Sequence, residues 1–140
     1  MTSILRSLWD WFQQQIPELE RACSAETIRA RSLQLLEANL SPEQHRDFSR
    51  RDYFYVVGGE TGRRYRIGTA YTYNVARLDA FGRAEFLLCF GPKGEVPLFD
   101  VLLAQKIALE LYEAEALAVA NKSPPHHIGW EPTLLRSRHW

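Results

Sequence analysis

The stretch Val56–Gly68, VVGGETGRRYRIG, collects residue types from which anion sites are built: glycines, a threonine hydroxyl, and Arg63, Arg64 and Arg66. A phosphate loop needs wider glycine spacing, then a lysine and a hydroxyl residue, then a helix whose amino end faces the phosphates. Here Gly58 and Gly62 enclose three residues, Arg63 stands where the lysine would, and an alternating segment follows. A nucleic-acid surface would use the arginines on phosphates and Tyr65, Tyr71 and Tyr73 as stacking platforms. Period-two alternation sets Tyr65 and Ile67 on one face and Arg64 and Arg66 on the other, so the arginines are expected on a solvated face away from Tyr65. The third chemistry is conformational: a hairpin turn whose glycines supply the positive φ angles of a sharp reversal. The segment supports this last reading.

Cys23 and Cys89 are the two thiols, and His45, His126, His127 and His139 the four imidazoles. A Cys–His nucleophile would have to pair two of them. Cys89 sits in FLLCF, where a buried thiol is inert. His126 and His127 are adjacent, without the Cys or Asp cluster that a metal site requires. Glu110 and Glu113 offer paired carboxylates, but Lys106 stands four residues before Glu110, the spacing of a helix-surface ion pair. An enzyme would need a pocket joining Glu110, His126 or Cys89. No catalytic constellation, metal or cofactor is expected.

These residues need elements to position them. TSILRSLWDWFQQQIP spaces Leu5, Leu8, Trp9, Phe12 and Ile16 along one helix face, with Pro17 expected to end the helix and Trp11 off the stripe. A second helix is expected from Ser24 as N-cap, with Ile28, Leu35, Leu36 and Leu40 as its apolar face. Ser41, Pro42 and Gln44 form the signature of a third start, a capping box with proline at the first position. From Tyr53 the pattern changes to short aromatic and β-branched runs separated by turn residues: YFYVV, RYRI, NVARLD and RAEFLLCF. That is a four-stranded antiparallel meander. In the fourth run Ala84, Phe86, Leu88 and Phe90 share a face, and Leu87 and Cys89 oppose them, so part of the second face should also be covered. A long helix is expected over 99–121, capped by Asp100 and Asn121, with Leu103, Ile107, Leu111 and Ala114 on one side and Leu102, Leu109 and Leu117 nearby.

The chain is therefore expected to be α+β: one domain over 1–122 (helices 1–52, meander 53–91, long helix 99–121) and an irregular tail over 123–140. Lys plus Arg and Asp plus Glu are both 17 in 140 residues, so global charge points to no polyanionic partner. Two cysteines make no disulfide framework, and no apolar run approaches the ~20 residues of a membrane span. These features fit a cytoplasmic protein with reduced thiols.

LSPEQ, FYVVGGETGRRYRI, NVARLDAFGR, LCFGPKGEVPLFDVLLAQKIALE and LAVAN together resemble a family of small proteins from bacteria and their viruses. Its members carry a G..TGRRYRI hairpin, then NV..LD..G, an LCF strand and a D.LLAQKI.LE helix. The resemblance spans roughly Leu40 to Asn121 and implies an intact β-then-helix module. It implies no activity, cofactor or catalytic residue.

The expected role is a non-enzymatic protein-interaction module, an accessory or adaptor subunit of a bacterial or phage-derived assembly. It would bind another protein or itself through Trp11, Trp130, Leu134, Leu135 and Trp140, since exposed aromatics favour interfaces. The apolar tail either wraps back on the domain or docks on that partner. The alternative is nucleic-acid binding through Arg63, Arg64 and Arg66.

Overall fold

A computed structural model describes residues 2–125; before residue 24 the described side chains are those of Ser7, Asp10, Trp11, Gln14 and Arg21. Four helices and five strands run in the order α1 (Thr2–Ala38), α2 (Pro42–Arg51), β1 (Tyr53–Val57), β2 (Arg64–Gly68), β3 (Val75–Leu78), β4 (Ala84–Cys89), α3 (Leu98–Leu111), α4 (Glu113–Val119) and β5 (Asn121–Ser123). The class is α+β, as the pattern implied.

The first correction concerns α1. Two helices were expected, broken at Pro17 and restarted at Ser24; one helix passes through both positions. Proline removes one backbone donor and strains one turn. The Ala-, Leu-, Glu- and Arg-rich sequence beyond it favours continued helix. Ser24 does not cap: its hydroxyl donates to the Arg21 carbonyl at 2.9 Å, the back-bonding of a serine inside a helix. Of the expected apolar face only Leu36 is fully buried and Leu40 partly, while Ile28 and Leu35 are about half exposed. Helix α2 starts where the capping box placed it. Ser41 Oγ accepts from the Gln44 amide at 3.1 Å, and Gln44 Oε1 accepts from the Ser41 amide at 2.9 Å.

The strands pair antiparallel in sequence order, β1-β2-β3-β4-β5. Register sets Phe54 opposite Ile67 and Val56 opposite Tyr65, which puts all four on one face. That face meets Leu36 of α1, Phe48 of α2, and Phe99, Leu102 and Leu109 of α3 in the main core. Phe48 packs edge-to-face on both Phe54 and Phe99, at 5.8 and 6.2 Å between centroids. The fifth strand was not expected; Asn121 and Lys122, read as helix cap and domain end, belong to it. A bulge between β3 and β4 brings Ala84 into the cluster on the opposite face, rather than beside Phe86 and Leu88.

The single long helix over 99–121 is instead two, α3 and α4, broken at Tyr112 (φ −137°, ψ 47°). Asp100 lies in the first turn of α3 rather than capping it, and its carboxylate accepts from Ser32 Oγ at 2.9 Å, tying α1 to α3. The buried side of α3 is Phe99, Leu102, Gln105 and Leu109, whereas Ile107 and Leu111 are exposed. Gln105 is buried because Asn74 completes it. The two amides donate to each other at 2.7 and 3.0 Å, and their second hydrogens reach the Gly68 and Phe90 carbonyls. All four partners being present, this pair orients α3 on the sheet without leaving a buried amide unsatisfied.

Candidate functional site

The turn between β1 and β2 does cradle an anion, and the anion is the chain's own. The break at Tyr112 presents Glu113 to the turn, where it is fully buried. Its Oε2 accepts from the Glu60 and Thr61 amides at 3.0 and 2.9 Å. Its Oε1 accepts from the Thr61 hydroxyl and, at 2.7 Å, from the Tyr65 hydroxyl. Consecutive amides converging on one oxygen form an anion-binding nest. Burial pushes the carboxyl upward, but the bonds from Thr61, Tyr65 and Glu60 outweigh it and hold the group at about 2. Burial and the bond to Glu113 together raise the Tyr65 hydroxyl above the ordinary phenol range. A carboxylate so stabilised is a poor proton acceptor, and its four bonds tie the turn to the start of α4.

The glycines serve close approach more than dihedral freedom. Only Gly62 in this turn has positive φ, at +69°. A Cβ on Gly58 would collide with the Glu113 carboxylate, and one on Gly59 with the Glu110 carbonyl. The Gly59 amide donates to the Leu109 carbonyl at 3.0 Å, so the turn is bonded to the end of α3 as well.

The three arginines do not share one solvated face. Arg63 precedes the strand and pairs with Glu85 at 3.1 Å. Arg64 is exposed and lies over the Tyr55 ring at 4.8 Å. It lines a cleft of about 590 Å³ together with Glu43, Asp47 and Glu110. Arg66, expected in solvent, is 9% exposed and lies over the Tyr53 ring at 5.1 Å. Cross-strand pairing explains its burial, because Tyr55 is its direct neighbour and Tyr53 the diagonal one. Burial pulls its guanidinium below the ordinary value. Arg51 adds a third cation, donating to the Tyr53 hydroxyl at 3.2 Å. Tyr65 lies on the other face from Arg64 and Arg66.

Of the groups that an enzyme would have to join, Glu110 and Cys89 are described and lie on different elements. Glu110 pairs with Lys106 at 2.8 Å, the helix-surface bond its spacing implied. Cys89 is a free thiol on the face of the sheet opposite α3. His126, Trp130, Leu134, Leu135 and Trp140 lie outside the described residues. Among the described residues, no group of three or more His, Cys, Asp or Glu side chains is placed to hold a metal ion. None of their helices is long and apolar enough to cross a membrane.

No family model, curated protein or solved structure matches this chain. Helix α1 carries a run of exposed side chains among those described. Its contacts with α3 run through Arg29, whose guanidinium lies 5.4 Å over the Phe99 ring, then Ser32 and Leu36. Every described side chain from Ser7 to Arg31 is exposed, Trp11 at 60%. Ile28 and Leu35, two turns apart on one face, are 53% and 51% exposed. The exposure of Trp11 agrees with its position off the apolar stripe, whereas Ile28 and Leu35 were expected in the core. Glu113 was noticed only as a neighbour of Glu110. Its partner turn lies about fifty residues away, and no local pattern connects them.

Proposed function

We propose that this chain is a non-enzymatic protein-binding module, an accessory or adaptor subunit that docks on its partner through α1. The observation that carries the reading is the length of that helix. Its 37 residues span about 55 Å, while the 14 residues of α3, on which it packs, span about 21 Å. The apolar residues it contributes to the core, Leu33 and Leu36, lie in its last two turns. Far from those turns Trp11 is exposed, and beside them Ile28 and Leu35 present a second exposed apolar face. An amphipathic helix laid into a partner's groove is a common recognition mode, and tryptophan is the residue type most enriched at its energetic centre. The only strongly perturbed carboxylate among the described residues is Glu113, and it is locked in place, which supports a binding role over a catalytic one.

The test is a comparison of the intact chain with Trp11→Asp as bait in native capture. Losing a central tryptophan costs an interface 2 kcal/mol or more, about thirtyfold in affinity. The expected result is a stoichiometric partner, or a second copy, held by the parent and lost from the variant while thermal unfolding is unchanged. Equal capture by both proteins would remove α1 from the role.

A further inference from the structure

The stretch from Leu98 to Val119 contains no glycine or proline and is rich in alanine, leucine and glutamate, residue types that favour one continuous helix. It nevertheless breaks at Tyr112, whose φ is −137° and ψ 47°. Helical spacing of the bonds survives on both sides of the break. The Tyr112 amide donates to the Ala108 carbonyl at 2.7 Å, and the Ala116 amide to the Tyr112 carbonyl at 2.9 Å. A helix break without proline or glycine needs a cause from outside the helix. The β1–β2 turn supplies it twice. The Gly59 amide donates at 3.0 Å to the Leu109 carbonyl, the acceptor that a continuous helix assigns to the Glu113 amide. The nest at Glu60, Thr61 and Tyr65 then takes the Glu113 carboxylate. Gly59 lies so close to the Glu110 carbonyl that no side chain fits between them. The turn is a wedge in the break, and Glu113 holds it there.

We infer that this wedge is a conformational latch: when Glu113 leaves the nest, α3 and α4 run on as one helix and β5 comes off the edge of β4. Apart from the latch, α4 is lightly held. Beyond Glu113 its buried side chain is Ala116, with Leu117 packed partly against the core, while Ala114, Glu115, Ala118 and Val119 are exposed. Closing the break returns the Leu109 carbonyl to the Glu113 amide and swings the chain after Tyr112 onto the axis of α3. Only Ala120 separates α4 from β5, so that three-residue strand has no slack with which to stay paired. Two arrangements of one segment about a hinge residue are the parts of a switch. The turn is exposed from Gly59 to Arg64, so the hinge couples an accessible surface to the edge of β4. The latch is independent of the role of α1, which takes no part in it.

The test uses the full chain in two variants. Glu113→Ala vacates the nest and leaves a good helix former. Thr61→Ala weakens the nest from the turn side and leaves the helix sequence untouched. The α-carbon chemical shift of Tyr112 reads the hinge. Amide hydrogen exchange reads the β4–β5 ladder, Leu87 to Cys89 against Asn121 to Ser123, with the β2–β3 ladder as the control. In Glu113→Ala the Tyr112 shift is expected to move into the helical range. The β4–β5 ladder should exchange about tenfold faster or more, while the β2–β3 ladder keeps its protection. Thr61→Ala should move both readouts the same way by a smaller amount, and it decides the matter where Glu113→Ala fails to fold. A Tyr112 shift that stays at its parent value would overturn the inference. So would a β4–β5 ladder that exchanges as in the parent, or protection lost equally from both ladders, which would make Glu113 a source of global stability alone.

Discussion

Replacing Glu113 with Gln changes one atom in the nest and leaves its shape intact. The remaining carbonyl oxygen can still accept from the Glu60 and Thr61 amides. The new NH2 then faces the Thr61 and Tyr65 hydroxyls, which donate to Glu113 in the parent protein. Both hydroxyls must become acceptors, and Thr61 Oγ1 already accepts from the Arg63 amide at 3.1 Å. The Tyr65 hydroxyl hydrogen, in a fully buried residue, loses its acceptor. Charge-assisted bonds contribute about 1.5–3 kcal/mol and an unsatisfied buried donor costs a similar amount, so the substitution should cost about 2 kcal/mol at pH 7. The parent's advantage depends on pH. The carboxyl titrates near 4.5 when unfolded and at about 2 when folded. A depressed folded value stabilises fully above pH ~4.5 and is lost as pH falls toward 2; by pH 3 about 2 kcal/mol has gone. The glutamine protein has no such group to protonate. Urea titrations should therefore show midpoints separated by about 1 M at pH 7, converging at pH 3. A separation of the same size at both pH values, or none at pH 7, would refute the view that a charged Glu113 secures the turn.

Two further substitutions probe how the turn and α3 are held. Gly59→Ala puts a Cβ against the Glu110 backbone carbonyl, which cannot move aside, whereas Gly62→Ala meets only the cost of a positive φ; the first should destabilise by well over 2 kcal/mol and the second by about 1–2, as read by thermal unfolding. A ranking in the opposite order would mean that dihedral strain, not close approach, explains the paired glycines. For the Asn74–Gln105 amide pair, a double-mutant cycle to alanine should give a coupling energy above about 1 kcal/mol; additive effects would show that each amide acts through its own backbone partner instead.

The meander was legible because its signals are local. Alternation in RYRI sets Tyr65 and Ile67 inward, and both are fully buried. The capping box at Ser41 was legible for the same reason: all its bonds lie within four residues. What could not be read depends on distant partners. Asn121-Lys122-Ser123 has no β-branched or alternating character and is a strand only because the edge of β4 bonds it. The break at Tyr112 follows from the capture of Glu113 by a turn formed about fifty residues earlier. In α1, Ser24 carries equally good credentials as a cap and as an interior serine, and the backbone continues through it. The question posed by VVGGETGRRYRIG had a half-right answer in the sequence. The segment is a hairpin turn, and it is also an anion cradle, filled by a carboxylate that the local motif could not reveal.

The docking role of α1 is tested most directly by amide hydrogen exchange on the intact chain, alone and bound to the partner it captures. Binding through α1 predicts that amides around Trp11 and onward to Ile28 gain protection in the complex while the sheet is unchanged. Protection confined to the sheet, or to the cleft lined by Glu43, Asp47 and Glu110, with α1 exchanging as it does in the free chain, would contradict it.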